Sequence, residues 1–171
     1  CDKKDNVINS LLGRGFWVQA ETVIGVNDLK KVMRVNIDEL IKLHIQKNLI
    51  GSNLAGSGSQ NSQAANVISA LFLATGQDIA QVVEGSKVFI TFEKLNNNLY
   101  VAVTLPNLDL GTAGGGTYLP AQTEARLLMK IKKTENLAAI IGATVLAGEI
   151  SLLASLVEGG LAESHKRLAR L

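Results

Sequence analysis

The chain has only one cysteine, little net charge and no segment typical of a secretion signal. Because Cys1 is alone among 171 residues, no internal disulfide can form, and a reducing compartment is expected. A net charge of +2 does not favour binding to nucleic acid. No apolar segment follows the charged first residues, so we expect no signal peptide. These features are typical of a cytoplasmic protein.

Uninterrupted apolar runs of membrane-spanning length are also lacking. Residues 64–74 are apolar but cover only about half of the roughly 20 residues that a spanning helix needs. Residues 137–162 are long enough, but Glu149 and Glu158 interrupt them. The hydrophobic content of 47% is that of a globular domain with a core of its own. We therefore predict that both segments are core helices.

The first residues are charged and do not include an initiating methionine. Asp2, Lys3 and Lys4 form the cluster DKK, here called the DKK segment. A natural start rarely falls within such a motif. We therefore expect the sequence to begin inside a longer protein.

Strand and helix patterns alternate irregularly along the first half of the chain. Residues 14–24 are rich in β-branched and aromatic side chains and predict a strand. Asn27 is a candidate N-cap for one helix whose apolar positions recur at helical spacing as far as Ile41. Lys47 is predicted to lie in a short connection before the small residues 51–62.

Residues 63–75 are apolar on nearly every side and predict a helix enclosed by protein all round. Gly76 is expected to end this helix, which places Asp78 just past its C-terminus. A carboxylate there is disfavoured by the helix dipole and calls for a nearby cation. A lysine is the natural candidate.

The second half predicts a hairpin, a loop and two helices. Residues 87–94 and 99–105 alternate as strands around three asparagines, and Pro106 is expected to end the second strand. A loop over residues 109–117, here called the glycine loop, precedes helices at about 120–132 and 137–157. A short helical tail carries His165. The strands are neighbours in sequence, so the predicted class is α+β.

The glycine loop has neither the GxGxxG spacing nor the lysine and serine of a phosphate-binding loop. It can bring bare backbone with free N–H groups close to a ligand. An ordinary turn and a ligand platform both remain open from the spacing alone.

Five side chains could carry chemistry, although each has an ordinary alternative. Exposed lysines, a loop aspartate and a histidine on a polar tail are common on solvated surfaces. Together they are the groups needed to reduce a thioester and protonate its leaving group. They are Lys3, Lys4, Lys47, Asp78 and His165.

The ordered motifs resemble one enzyme family over nearly the whole chain. They read CDKKDNVIN, GRG, KNLIGS, AGS, NSQAAN, ATGQDIAQ, LYVAVTLP, DLGTAGGGT and AGEISLLASL. In order and spacing they resemble the C-terminal part of the catalytic region of 3-hydroxy-3-methylglutaryl-coenzyme A (HMG-CoA) reductase, class I type. A generic α+β scaffold with fortuitous lysines does not account for so many ordered matches.

The resemblance implies the large, substrate-binding domain of that family. This fold has a buried central helix surrounded by helices and an antiparallel hairpin. Residues 1–13 would be a linker loop carrying the DKK segment, and residues 14–171 the C-terminal part of the large domain. The small dinucleotide-binding domain and the family's catalytic glutamate belong to an upstream half that this sequence does not contain.

The resemblance also assigns roles to single residues. Lys3 would polarise the thioester carbonyl, Asp78 would hydrogen-bond that lysine, and His165 would protonate the departing coenzyme A thiolate. Residues that match positions around the substrate are Asp2, Lys4, Lys47, Asn61, Leu152, Ser155 and Leu156. Residues that would lie near the nicotinamide are Gly114, Gly115 and Gly116. No metal ion is implied.

The implied activity is reduction of HMG-CoA to mevalonate and coenzyme A with two NADPH, although NADH fits equally. The implied partners are a second copy in a dimer, or a dimer of dimers, and the N-terminal half of the enzyme; nucleic acid is not among them. The alternative is a non-catalytic remnant that keeps coenzyme A binding or dimer formation. Retention of Lys3, Asp78 and His165 favours the enzyme, with the isolated chain inactive.

Overall fold

A computed structural model describes residues 4, 6–160, 166 and 168. Its α-helices are α1 (Val7–Leu12), α2 (Val26–Asp28), α3 (Ile37–His44), α4 (Ser52–Leu54), α5 (Ala64–Thr75), α6 (Val82–Gly85), α7 (Pro120–Leu128) and α8 (Thr134–Glu158). Its strands are β1 (Phe16–Ile24), β2 (Phe89–Leu95) and β3 (Asn98–Leu108). Two π-helical segments, Leu29–Met33 and Ile45–Gly51, and a 3-10 turn, Ile79–Gln81, complete the described elements. Helices with a small antiparallel sheet confirm the predicted α+β class.

The sheet has the order β1-β3-β2, and both pairs are antiparallel. The predicted hairpin is confirmed: β2 and β3 pair from Leu95 and Asn98, which leaves Asn96 and Asn97 as a two-residue turn. Asn96 has a φ of 55°, a left-handed conformation that asparagine tolerates better than most residues. β3 lies in the centre, and its apolar side chains are therefore buried.

Helix α8 is the core helix of the fold. It packs against β1, β3, α3 and α5. Gly142 allows the closest approach to the sheet, because a Cβ there would lie 2.7 Å from Val18 Cγ1. Among the described residues, α8 is the one helix long and apolar enough to cross a membrane, judged by length and composition only. In the most apolar 18-residue stretch of α8, 56% is buried, which agrees with a core helix.

The first helical region differs from the single helix predicted after Asn27. The N-cap of α2 is Gly25, and the chain leaves the helical path at Arg34, which has a φ of 57°. α3 then begins after Asn36 and continues into the π-helical segment Ile45–Gly51. Lys47 therefore lies on a helical turn and not in a short connection, so that prediction was wrong.

The prediction that α5 is enclosed all round was also wrong. Its buried positions are Ala64, Ile68, Phe72 and Thr75, which form a single face. Leu73 on another face is 63% exposed. An apolar composition shows that a helix avoids water on average, but it does not show which faces its neighbours cover.

Pro106 does not end β3, which continues to Leu108. The pairing with β1 shifts register between Phe16 and Val18, next to this proline. A β-bulge is a position where a residue without an N–H group is tolerated. The Pro106 carbonyl oxygen still accepts a hydrogen bond from the Arg14 N–H at 3.0 Å.

Helix α1 lies within residues 1–13, which were expected to be a loop. Asn6 caps it by accepting a hydrogen bond from the Ile8 N–H at 2.9 Å. None of its six residues is buried. The predicted loop over 109–117 and the two helices that follow it are confirmed, whereas the tail with His165 lies outside the described residues.

Replacing Gly142 with alanine is expected to lower the free energy of unfolding by about 1 kcal/mol. The added methyl group collides with Val18, and this cost exceeds the helix-propensity gain of up to about 1 kcal/mol. Urea unfolding of Gly142→Ala, Val18→Ala and the double variant tests this. The double variant should be more stable than the sum of the single changes predicts. Strict additivity would contradict the close helix–sheet contact.

Candidate active site

The structure describes most of the predicted site residues but not all of them. Asp2, Lys3 and His165 lie outside the described residues. Lys4 is described and exposed. The remaining candidates lie at the two ends of α5, on the π-helical segment after α3, in the glycine loop and on α8.

Asp78 lies in the turn that follows α5. Gly76 ends the helix with a φ of 74°, in the left-handed conformation that favours glycine. Asp78 then caps the 3-10 turn Ile79–Gln81, and its Oδ1 accepts a hydrogen bond from the Ala80 N–H at 3.0 Å. The carboxylate therefore stands just past the C-terminus of α5, as predicted. Its pairing with a lysine stays a prediction.

Residues 76–78, here called the Asp78 turn, pack against the glycine loop and form hydrogen bonds with it. Gln77 exchanges two hydrogen bonds with the backbone of Gly111, at 2.8 and 2.9 Å. A Cβ on Gly76 would lie 2.5 Å from the carbonyl carbon and oxygen of Gly116. The structure thus brings the predicted carboxylate and the predicted cofactor-contacting loop to one place.

The glycine loop itself is held at its base and open at its tip. Arg126 of α7 donates hydrogen bonds to the carbonyl oxygens of Thr112 and Thr117. At the tip, Gly114 and Gly115 have φ values of 79° and 56°, and a Cβ on either would meet nothing within 4 Å. Bare, exposed backbone of this kind fits the close approach of a flat aromatic ring such as a nicotinamide.

At the other end of α5, the Glu149 carboxylate of α8 accepts hydrogen bonds from two backbone N–H groups. Its oxygens lie 2.9 and 3.1 Å from the Ser62 nitrogen, and Oε1 lies 2.7 Å from the Gln63 nitrogen. Glu149 is fully buried, and this burial raises its pKa. The two backbone hydrogen bonds and the charge of Lys47 act in the opposite direction.

A second series of hydrogen-bonded polar groups also reaches Ser62, from the helical region that includes α3. The Ser62 hydroxyl donates to Asn48 Oδ1 at 2.7 Å, and Asn48 Nδ2 lies 3.3 Å from His44 Nδ1. The His44 ring stacks on Phe92 with ring centres 5.2 Å apart, and burial lowers the pKa of His44. Lys47, next to Asn48, is exposed, so its ammonium group stays available to a ligand.

Asn61 has an evident structural role. Its side-chain nitrogen donates to the carbonyl oxygens of Ser86 at 2.9 Å and Val88 at 3.2 Å. Its side-chain oxygen accepts from the Ala64 N–H at 3.3 Å. The amide therefore ties the start of α5 to the entry of β2. Its role as a substrate ligand stays a prediction.

The predicted apolar contacts lie on α8, one and two turns after Glu149. Leu152, Ser155 and Leu156 are all half-buried. Ser155 also borders a cleft of about 280 Å³ together with Met33. These side chains are accessible in part, as a substrate-facing position requires.

Sequence reasoning missed Glu149 and His44 as members of the site region. The signal for Glu149 was visible, because a carboxylate in the middle of an apolar 25-residue helix needs buried partners. The signal for His44 was its spacing of four residues from Asn48, which places both on one helix face.

The sequence profile of one protein family, Hydroxymethylglutaryl-coenzyme A reductase, matches residues 1–170. The chain belongs to the HMG-CoA reductase family. This finding agrees with the ordered motifs from DKK to the AGE sequence around Glu149.

Named reductases of three organisms show the same similarity. An HMG-CoA reductase of the archaeon Aeropyrum pernix is 45% identical over 99% of this chain. Reductase 2 of Dictyostelium discoideum is 44% identical over 96% of it, and reductase 1 of rice is 41% identical over 96%. The chain spans 42%, 34% and 33% of the length of these three relatives. The similarity therefore covers a part of the reductase.

Gly76→Ala is expected to destabilise the chain more than Gly159→Ala, because only the former displaces the glycine loop. Both glycines end a helix at nearly the same positive φ, but the space around Gly159 is open. Each change costs about 1 kcal/mol of backbone strain. The clash with Gly116 should add about 1–3 kcal/mol to Gly76→Ala. Equal losses in urea unfolding would contradict the contact.

Glu149→Ala is expected to lower the free energy of unfolding by about 3 kcal/mol, because two buried N–H groups lose their acceptor. Glu149→Gln keeps one acceptor oxygen and should lose less than half of that. Glu158→Gln, an exposed change on the same helix, should stay within about 0.5 kcal/mol.

The same variants test the raised pKa of Glu149. Since the folded state holds this proton above the ordinary value of 4.5, it binds more protons than the unfolded state there. The contribution of Glu149 to stability therefore falls as pH rises from 4.5 through the folded-state pKa. The stability difference between wild type and Glu149→Gln should shift in favour of Glu149→Gln over this range. A pH-independent difference would contradict the assignment.

Proposed function

We propose that the chain forms part of the active site of an HMG-CoA reductase. The reaction is the four-electron reduction of the HMG-CoA thioester to mevalonate and free coenzyme A, which belongs to the mevalonate pathway of isoprenoid biosynthesis. The observation that supports it most directly is the contact between the Asp78 turn and the glycine loop. The two residues before the exposed Asp78 contact the loop whose bare backbone at Gly114 and Gly115 is open, and this supports the proposal.

The chemical roles belong to three side chains. Lys3 polarises the thioester carbonyl and stabilises the oxyanion that forms when a hydride adds to the carbonyl carbon. Asp78 hydrogen-bonds the Lys3 ammonium group and thereby orients it toward the carbonyl oxygen. When the C–S bond breaks, His165 protonates the departing thiolate, a role suited to a group with a pKa near neutrality. A second hydride reduces the resulting aldehyde to the alcohol.

Substrate binding divides into a polar and an apolar end. Asp2, Lys4, Lys47 and Asn61 surround the hydroxymethylglutaryl group, whose carboxylate is attracted to the lysines. The exposed position of Lys47 beside the start of α5 supports this assignment. Leu152, Ser155 and Leu156 provide the apolar face on α8.

When bound, a nicotinamide cofactor would supply the hydrides, and Gly114, Gly115 and Gly116 would be the residues beside its ring. The open space around Gly114 and Gly115 supports this placement. The glycines would approach the nicotinamide ring, which NADPH and NADH share, and the residues that discriminate between the two would belong to the small dinucleotide-binding domain. The active assembly is a homodimer, or a dimer of dimers, of a cytoplasmic catalytic region that also contains the family's upstream segment.

Oxidation of NADPH in the presence of HMG-CoA tests the function. The chain alone is expected to be inactive, because one catalytic carboxylate of the family lies in the upstream segment. Mixing it with a polypeptide that supplies the upstream half should produce turnover. Lys3→Ala should lower that turnover by about 10²-fold or more. Lys42→Ala, at an exposed lysine of α3, serves as the matched control.

The possible outcomes separate the two candidate functions. Turnover on mixing that is lost in Lys3→Ala but kept in Lys42→Ala supports a reductase. Folded material that binds coenzyme A but never turns over supports a binding or dimer-forming module. Turnover by the chain alone would contradict the expected need for the upstream carboxylate.

A further inference from the structure

Lys87 is a buried lysine that neither the motifs nor the proposed chemistry use. It lies between α6 and β2, and only 4% of its surface is exposed. Its Nζ donates a hydrogen bond to the Asn6 carbonyl oxygen at 2.7 Å and to the Ser10 hydroxyl at 3.2 Å. Both partners belong to α1 or to its N-cap. A buried ammonium group thus reaches across the fold to a helix 77 residues earlier in the chain.

The surroundings of Lys87 are held by polar contacts to the side chains of Glu84, Asn107 and Asn61. Its Nζ lies 3.9 Å from the Glu84 carboxylate, which is fully buried. Glu84 in turn accepts a hydrogen bond from Asn107 of β3 at 3.0 Å. Asn61 binds the carbonyl oxygens on both sides of Lys87, at Ser86 and Val88. The backbone and the charge of Lys87 are therefore anchored to the core.

The residues of α1 do not themselves provide a comparable buried contact to the core. It has six residues, none of which is buried, and an isolated helix of this length is unstable in water. Asn9 and Gly13 close its last turn, and Arg14 bonds to the Pro106 carbonyl oxygen just beyond it. At its N-terminal end, the Lys87 contacts to Asn6 and Ser10 join α1 to the core.

The N-terminal end of α1 is also the end next to the DKK segment in the sequence. One residue, Asp5, separates Lys4 from Asn6, whose carbonyl oxygen Lys87 binds. We propose that Lys87 is a positioning residue: it holds the start of α1 on the core, and the catalytic role proposed for the adjacent DKK segment depends on this contact. This inference rests on the proposed function for its catalytic consequence, but not for its structural part.

Amide hydrogen exchange on the chain tests the structural part without any turnover. The Leu11, Leu12 and Gly13 amides should exchange about five-fold faster in Lys87→Met than in wild type. Lys94→Met removes an exposed lysine from the same strand region and should leave these rates within about two-fold. Amides of the central strand β3 should be unchanged in both variants.

Lys87→Met leaves the buried Glu84 without its cation and could therefore prevent folding. Ser10→Ala is the second variant for that case. It removes one Lys87 contact on α1 and leaves the Lys87–Glu84 pair intact, and the same amides should exchange several-fold faster. Unchanged exchange in Ser10→Ala and in any folded Lys87→Met would overturn the proposal. Unprotected α1 amides in the wild type would overturn it as well.

The catalytic part of the proposal is tested by measuring kcat and KM for the chain mixed with the upstream polypeptide. Lys87→Met, or Ser10→Ala if the former does not fold, should lower kcat about ten-fold while the KM for NADPH stays unchanged. A general loss of structure would move both constants. Altered exchange with unchanged kcat would overturn the catalytic role alone. Absence of wild-type turnover would count against the proposed function, whereas the exchange result would still decide the placement of α1.

Discussion

The Glu149 carboxylate holds the start of one helix from the middle of another. The N-cap residue of α5, Gln63, makes no side-chain cap hydrogen bond, and the N–H groups of Ser62 and Gln63 at the start of the helix need an acceptor. Glu149 on α8 supplies it, and the positive end of the α5 dipole favours the negative charge. Because α5 is a continuous helix of 12 residues, about 18 Å long, this contact contributes to the orientation of its far end. That far end carries the Asp78 turn and, through it, the glycine loop.

A carboxylate suits this position because the surrounding donors would remain unpaired beside an apolar side chain. Burial without partners would cost several kcal/mol for the charge, and burial accordingly raises the pKa of Glu149. The two N–H donors and the nearby Lys47 offset part of this cost. Lys47 lies on the π-helical segment after α3, in which its neighbour Asn48 binds Ser62. This segment and Glu149 therefore both contact the residues at the start of α5.

Local signals in the sequence predicted the features that depend on a few neighbouring residues. The turn at Asn96, the end of α5 at Gly76 and the glycine loop are of this kind, since backbone conformation alone selects those residues. The errors occurred where a distant partner decides. Asn48, on the π-helical segment after α3, binds Ser62 14 residues later, and Pro106 lies in β3 where the register with the distant strand β1 shifts. Neither pairing is visible in the local pattern around one residue.

The candidate site shows the same division between residue identity and placement. Motifs named Asp78, Lys47 and the glycines as single residues, but their placement depends on polar contacts that no motif describes. Asn61 connects the two main groups of such contacts: its oxygen binds the start of α5 beside Glu149, and its nitrogen binds the carbonyl groups on either side of Lys87. One group leads through α5 to the Asp78 turn, and the other leads through Lys87 to the start of α1. An asparagine is well suited to this junction because its amide offers an acceptor and two donors on one short side chain. A change at Asn61 would therefore disturb both ends of the proposed site at once, whether or not its side chain touches the substrate.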